Sequence, residues 1–187
     1  MKKVQQSLMY LPAVLFMVII FCFSAQPAEE SSAESSRIVN LVLQGVESLR
    51  GFEFSSEEFA IYAEKIHTPI RKLAHMTEYA LLAWTILIPT LYLKRERWWK
   101  KKEKTEQMLW KFLDKKVIIK ICFGSIFITM LYASTDEFHQ LFVEGRSGKV
   151  MDVLIDTFGA MLGSFAFLLL WRIFLAIKGK FKKLKIS

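Results

Sequence analysis

The sequence predicts an all-α polytopic membrane protein, a bundle of four transmembrane helices with two short amphipathic helices in the first extracytoplasmic loop. Three observations predict it. Hydrophobic residues make up 53% of the 187-residue chain, charged residues only 24%, and mean hydropathy is +0.29, too apolar for a water-soluble core of this size to conceal. The apolar residues gather into four long stretches, Leu8–Phe23, about Leu73–Leu93, Val117–Ala133 and about Val150–Ile177. With their flanks, each approaches the ~20 residues that cross about 30 Å of hydrocarbon. The last three carry almost no polar face of helical period along their inner two-thirds, which argues against a soluble helical bundle.

Membrane helices are expected at about 6–25, 70–93, 117–137 and 151–172, all within a single domain over 1–187. The first apolar run, 16 residues long, exceeds the usual core of a cleaved signal peptide and reads as a retained helix. Cys22 and Cys122 both lie inside apolar runs, against a structural disulfide or a cysteine zinc site.

Net charge is +8, and its placement matters more than its size. Residues 94–116 hold ten basic and four acidic side chains, the tail 173–187 is basic with no acid, and Lys2 and Lys3 open the chain. These segments are separated by even numbers of crossings. The loop 26–69 is rich in Glu, and 136–149 is short. Positive charge favours the cytoplasm, so both termini, the 94–116 loop and the tail are expected inside, and 26–69 outside. The basic charge then lies beside anionic lipid, and Trp98, Trp99, Trp110 and Trp171 suit the inner interface. No recognition motif accompanies the basic loop, so nucleic acid is not expected as a partner.

In the outer loop, Ile38, Leu41, Val42, Val46 and Leu49 recur at helical spacing from Ser36 to Leu49. Ser55-Ser56-Glu57-Glu58 reads as a capping box before Phe59, Tyr62, Ala63 and Ile66. Thr68-Pro69 reads as the N-cap and first residue of the second membrane helix.

Counting about 20 residues outward from the basic edge of each helix puts polar groups from all four helices in one stratum. Ser24 and Gln26 end the first helix. Arg71, His75 and Glu78 share a face at i, i+4 and i+7, as do Asp152, Asp156, Gly159 and Gly163 on the fourth. Thr129, Ala133, Asp136 or Glu137, and Gln140 share one on the third. Ionisable groups facing lipid would each cost about 2.5 kcal/mol or more, so these should turn inward. Gly159 and Gly163 form a GxxxG pattern that brings a neighbouring helix close, within the chain or between copies. Arg71, Lys72 and Arg146 stand against Glu78, Asp136, Glu137, Asp152 and Asp156. The excess of acids calls for a proton, a charged His75 or a cation. Such a cluster is either a set of buried ion pairs pinning the helices or a ligand site.

At these residues the chain resembles the VanZ-like family of small bacterial membrane proteins. The matching elements are Phe23-Ser24-Ala25-Gln26-Pro27, Arg71-Lys72-x-x-His75-x-x-Glu78-Tyr79, Asp136-Glu137-x-x-Gln140 and Gly145-Arg146-x5-Asp152-x3-Asp156-x2-Gly159. They cover nearly the whole chain in order. The resemblance implies a bacterial plasma-membrane setting in the cell envelope, adds Tyr79 to the candidate site, and implies a role in resistance to teicoplanin, since the family is named for an accessory protein that lowers susceptibility to that glycopeptide.

Two functions are weighed. In the first, the cluster binds an envelope lipid precursor or an amphiphilic lipoglycopeptide at the outer leaflet, with Arg71, Lys72 and Arg146 meeting phosphate or carboxylate. Asp136, Glu137, Gln140, Asp152 and Asp156 meet amines and hydroxyls. In the second, the site is catalytic, drawing on His75, Glu78, Asp136 and Glu137 for acid–base work. A metal-assisted version would hold a divalent ion on His75, Glu78, Asp152 and Asp156. No cofactor is required by the first reading. Transport fits poorly, since the charges lie near one face and no inverted repeat is visible.

Overall fold

The computed structural model describes residues 3–101 and 115–184. Among these residues all regular structure is helical: α1 (Lys3–Leu8), α2 (Leu11–Ser24), α3 (Ala28–Arg50), α4 (Ser56–Lys101), α5 (Lys115–Gln140) and α6 (Val150–Leu184). Four spans are long and apolar enough to cross a membrane: Lys3–Ser24, Ser56–Lys94, Lys116–Gln140 and Val150–Phe174. Most of the basic 94–116 loop, Trp110 included, lies outside the described residues.

The first span is interrupted where Pro12, in the first turn of α2, has no backbone N–H to continue the preceding helix. Tyr10 N–H instead closes onto Ser7 O at 3.0 Å. At the other end of α2, Ala25 N–H reaches Phe21 O at 2.9 Å before Pro27 stops the helix.

α3 is longer than its apolar period predicts, starting at Ala28 instead of Ser36. Ser35, Val39 and Leu43 form its buried stripe, and α3 packs on α4. The serine-rich first turns join the helix because small side chains allow close approach. Ser35 Oγ and Ser36 Oγ donate back to Ser31 O and Ser32 O at 3.0 and 2.9 Å, so they do not compete with the helix. Glu29 and Glu30 suit the positive N-terminal end. Gly51, at φ 72°, ends the helix in the left-handed conformation that only glycine adopts without penalty.

The expected helix start at Pro69 is overturned. The capping box at Ser55 forms as expected, with Ser55 N–H and Oγ on Glu58 Oε2 at 3.0 and 2.9 Å and Glu58 N–H on Ser55 Oγ at 3.2 Å. From there α4 runs unbroken through Pro69 and Pro89 for 46 residues, about 69 Å at 1.5 Å per residue. Where Pro69 removes one backbone bond, α3 packs against α4, with His67 Nε2 3.2 Å from Ser32 O. The second amphipathic helix and the second membrane helix are therefore one element.

α4 is the hub, packing against α2, α3, α5 and, most extensively, α6. The core centres on Ala13, Ile20, Tyr79, Leu82, Ile86 and Ala133. Polar groups in the bundle are used across helices: Ser125 Oγ donates to Ala83 O at 2.9 Å, Trp84 Nε1 to Gly163 O at 2.6 Å, and Tyr132 Oη to Met17 O. Outside, Phe123, Phe127, Leu131, Phe158, Leu162 and Phe165 are exposed, the pattern of a lipid-facing surface and not of one bathed in water.

The GxxxG face is spent inside the chain. A Cβ on Gly159 would meet Met76 O and Cα of α4, and one on Gly163 would meet Ala80 Cβ at 2.6 Å. Gly159→Ala should therefore destabilise the protein by about 1–3 kcal/mol through overpacking, measured as a lower Tm in detergent. Gly124→Ala, whose Cβ would meet nothing within 4 Å, should leave Tm unchanged or raise it.

Candidate functional site

The sequence-predicted polar residues converge at the end of the bundle where α2 finishes and α6 begins. They do not line one pocket, as the common stratum suggested, but two adjoining cavities. The first, about 210 Å³, lies among α2, α3 and α4 and includes Ser24, Gln26, Glu34, Glu78 and Asp136 in its lining. The second, about 360 Å³, lies among α4, α5, α6 and the 141–149 loop and includes Lys72, Glu137, Gln140, Asp152 and Asp156. Arg71, His75 and Arg146 line both and form the shared wall. Tyr79 lines neither and is fully buried.

Helix register places these groups. On α5, Asp136, Glu137 and Gln140 occupy the last turn, so all three reach the end of the bundle and are buried. Beyond them the chain unwinds in i to i+3 turns at Leu141, Phe142 and Val143, and Gly145 turns at φ 71°. Gly148 allows the loop to approach α5, since a Cβ there would meet Glu137 O. The loop's return brings Arg146 and Lys149 over the cluster.

The buried carboxylates differ in how well they are satisfied. Glu137 accepts Lys149 N–H at 2.8 Å on Oε2 and Gln140 Nε2 at 3.4 Å on Oε1. Asp136 accepts Tyr79 Oη at 3.1 Å and Gln140 Nε2 at 3.3 Å, both on Oδ2, while Oδ1 has no partner. Asp156, 1% exposed, has no partner on either oxygen. An unmet buried polar group costs about 1–3 kcal/mol, more when charged.

Arg146 does not pair with these acids. Its Nε donates to Gln26 O at 3.0 Å and its Nη2 to Phe23 O at 3.1 Å, while Nη1 is buried without a partner. The guanidinium thus clasps the carbonyl end of α2, where the helix dipole is negative. Burial, with Arg71 nearby, pushes its pKa down from the usual value, yet an arginine stays cationic. Among the described residues the one contact at ion-pair distance in the cluster is His75 Nδ1 to Glu78 Oε2 at 3.7 Å, an ion pair only when the imidazole carries a proton. The cluster is not, among the described residues, a lattice of ion pairs pinning four helices.

The expected metal set is divided. His75 and Glu78 lie together on α4, but Asp152 and Asp156 line only the second cavity and Glu78 only the first. Among the described residues no group of three or more His, Cys, Asp or Glu is placed to hold a metal ion. His139, beside the α5 motif, packs its ring on Phe21 with centroids 4.4 Å apart.

Some lining residues escaped the sequence reading. Glu34 accepts Gln26 Nε2 at 3.2 Å, and Ser31 and Ser35 join it in the first cavity. Pro27 carries the chain straight from α2 into α3, so these residues had to lie near the end of α2. His67, in the second cavity, precedes Arg71 and His75 at spacings of four, but it was hidden by starting the helix at Pro69.

Arg146→Gln should lower stability by roughly 2–4 kcal/mol, because it frees two carbonyls and removes charge-assisted bonds. Lys72→Gln, at an exposed position, should change it by no more than about 0.5 kcal/mol. Thermal unfolding in detergent measures both.

No match was found among curated proteins or among solved structures. A family model described as VanZ/LLP1 matches residues 9–173, which takes in every residue that lines the two cavities. The chain belongs to the VanZ/LLP1 family.

Proposed function

We propose that this VanZ-type membrane protein binds the polar headgroup of an envelope lipid precursor or of an amphiphilic glycopeptide at the outer leaflet of the bacterial plasma membrane. The observation that carries the reading is the wall of Arg71, His75 and Arg146 between two cavities, beside carboxylates that lack partners. Cations and acids held near each other yet largely unpaired suit a ligand that brings both phosphate and hydrogen-bond donors. The cavity volumes, about 210 and 360 Å³, suit a headgroup and not a whole glycopeptide. Phe23 and Ile38 line the first cavity and are each 46% exposed, so it borders the lipid-facing surface, a route by which an amphiphile enters while its chains stay in the bilayer.

The distribution of Lys and Arg supports the orientation. With Lys2, Lys3, the 94–116 segment and the tail in the cytoplasm, the cavities open to the outside. There, capture of a lipid-linked precursor or a lipoglycopeptide would contribute to teicoplanin-type resistance.

One observation favours a second reading. His75 and Glu78 lie 3.7 Å apart, both on the first cavity with Asp136, an arrangement in which an imidazole is oriented by a carboxylate. An enzyme acting on a lipid-linked or cell-wall substrate would use that pair.

Mass spectrometry of lipids retained by the purified protein after incubation with lipid-linked precursors separates the readings. Retained lipid of unchanged mass is expected, and Arg71→Gln should cut the amount at least about tenfold, the effect of one charge-assisted hydrogen bond. Equal retention by the variant contradicts the binding site. A shifted substrate mass that disappears in His75→Gln supports the enzyme.

A further inference from the structure

Among the three buried carboxylates, satisfaction falls in a clear order. Glu137 has partners on both oxygens, Asp136 on one, and Asp156 on neither. Asp156 is 1% exposed and lines the second cavity. Asp152, in the first turn of α6, stands four residues nearer the rim, about 6 Å away along the axis. Lys149, exposed, lines the cavity from the loop, and Arg71 and exposed Lys72 line it from α4. The cavity therefore has an acidic floor with free acceptor oxygens and a rim dominated by cations.

We infer that the second cavity recognises a primary ammonium group joined by a short linker to a phosphate. The ammonium donates to Asp156 at the floor, and the phosphate stays at the level of Arg71, Lys72 and Lys149. This rests on the binding reading above and goes beyond it, extending the ligands of that same site to an aminoalkyl phosphate headgroup. An ammonium has three donors for acceptors that the protein leaves empty, and it supplies the positive charge that a buried carboxylate needs. A phosphate suits the rim because it accepts from both guanidinium and ammonium donors. A quaternary ammonium offers no N–H, and a glycerol headgroup offers no charge, so neither satisfies Asp156. The chemistry occurs in an aminoethyl phospholipid and in free phosphoethanolamine.

The full-length protein is reconstituted in nanodiscs of phosphatidylglycerol doped with phosphatidylethanolamine or with phosphatidylcholine, and retained lipid is counted by native mass spectrometry. In a second arm, soluble phosphoethanolamine is titrated against thermal unfolding. The wild-type protein should retain phosphatidylethanolamine about tenfold or more over phosphatidylcholine and phosphatidylglycerol, and Asp156→Asn should abolish that preference. A Tm rise with soluble phosphoethanolamine identifies the headgroup alone as sufficient. Its absence alongside lipid preference assigns the source to the membrane lipid. If Asp156→Asn fails to fold, the comparison of the three lipids on the wild-type protein still decides.

Equal retention of all three lipids, with Arg71→Gln lowering each, overturns the ammonium assignment and leaves the binding site standing. A preference that survives in folded Asp156→Asn also overturns it. No specific retention and no Tm shift overturn both.

Discussion

Desolvation of carboxylates is the constraint that organises the molecule. Asp136, Glu137 and Asp156 are each at most 6% exposed, in a bundle whose outer surface is apolar. Acids cannot face hydrocarbon without a large penalty, so α4, α5 and α6 must turn these faces towards one another. The donors that meet Asp136 and Glu137 come from three directions: Tyr79 from α4, Gln140 from α5 itself, and Lys149 N–H from the loop. The loop must therefore fold back over α5, and Gly148 permits it. Arg146 then reaches the end of α2 and ties the first span to the others.

The same constraint explains why α4 and α6 lie so close. Gly159 and Gly163 bring the α6 backbone against Met76 and Ala80, which seats Asp156, one turn before Gly159, beside the face bearing His75. Without that approach the floor of the second cavity would open to lipid. Packing and polar chemistry here share one helix face, so the glycines serve the site although they touch none of its contents.

Much of this was legible in the sequence, because faces follow from helical register. The spacings 71/75/78 and 152/156/159/163 depend only on 3.6 residues per turn, and a charge in a membrane helix turns inward under nearly any packing. Thr129, Ala133, Asp136 and Gln140 are accordingly all buried. Three features were not legible. Helix continuity through Pro69 accompanies packing against α3, a tertiary contact that local propensity does not encode. The early start of α3 rests on serines whose value is their small size, which apolar periodicity ignores. The division into two cavities follows from Arg146 choosing backbone carbonyls over carboxylates. Charge pairing read from composition favours the acids, but the end of α2 offers two acceptors at the right distance.

The central claim is that the cavity end of the bundle faces away from the cytoplasm. Ser147, exposed and on the second cavity's rim, reports this directly when Ser147→Cys is placed in a Cys22→Ser, Cys122→Ser background. Intact cells are treated with a membrane-impermeant maleimide. Labelling without permeabilisation is the result expected; labelling only after the membrane is opened would contradict the account.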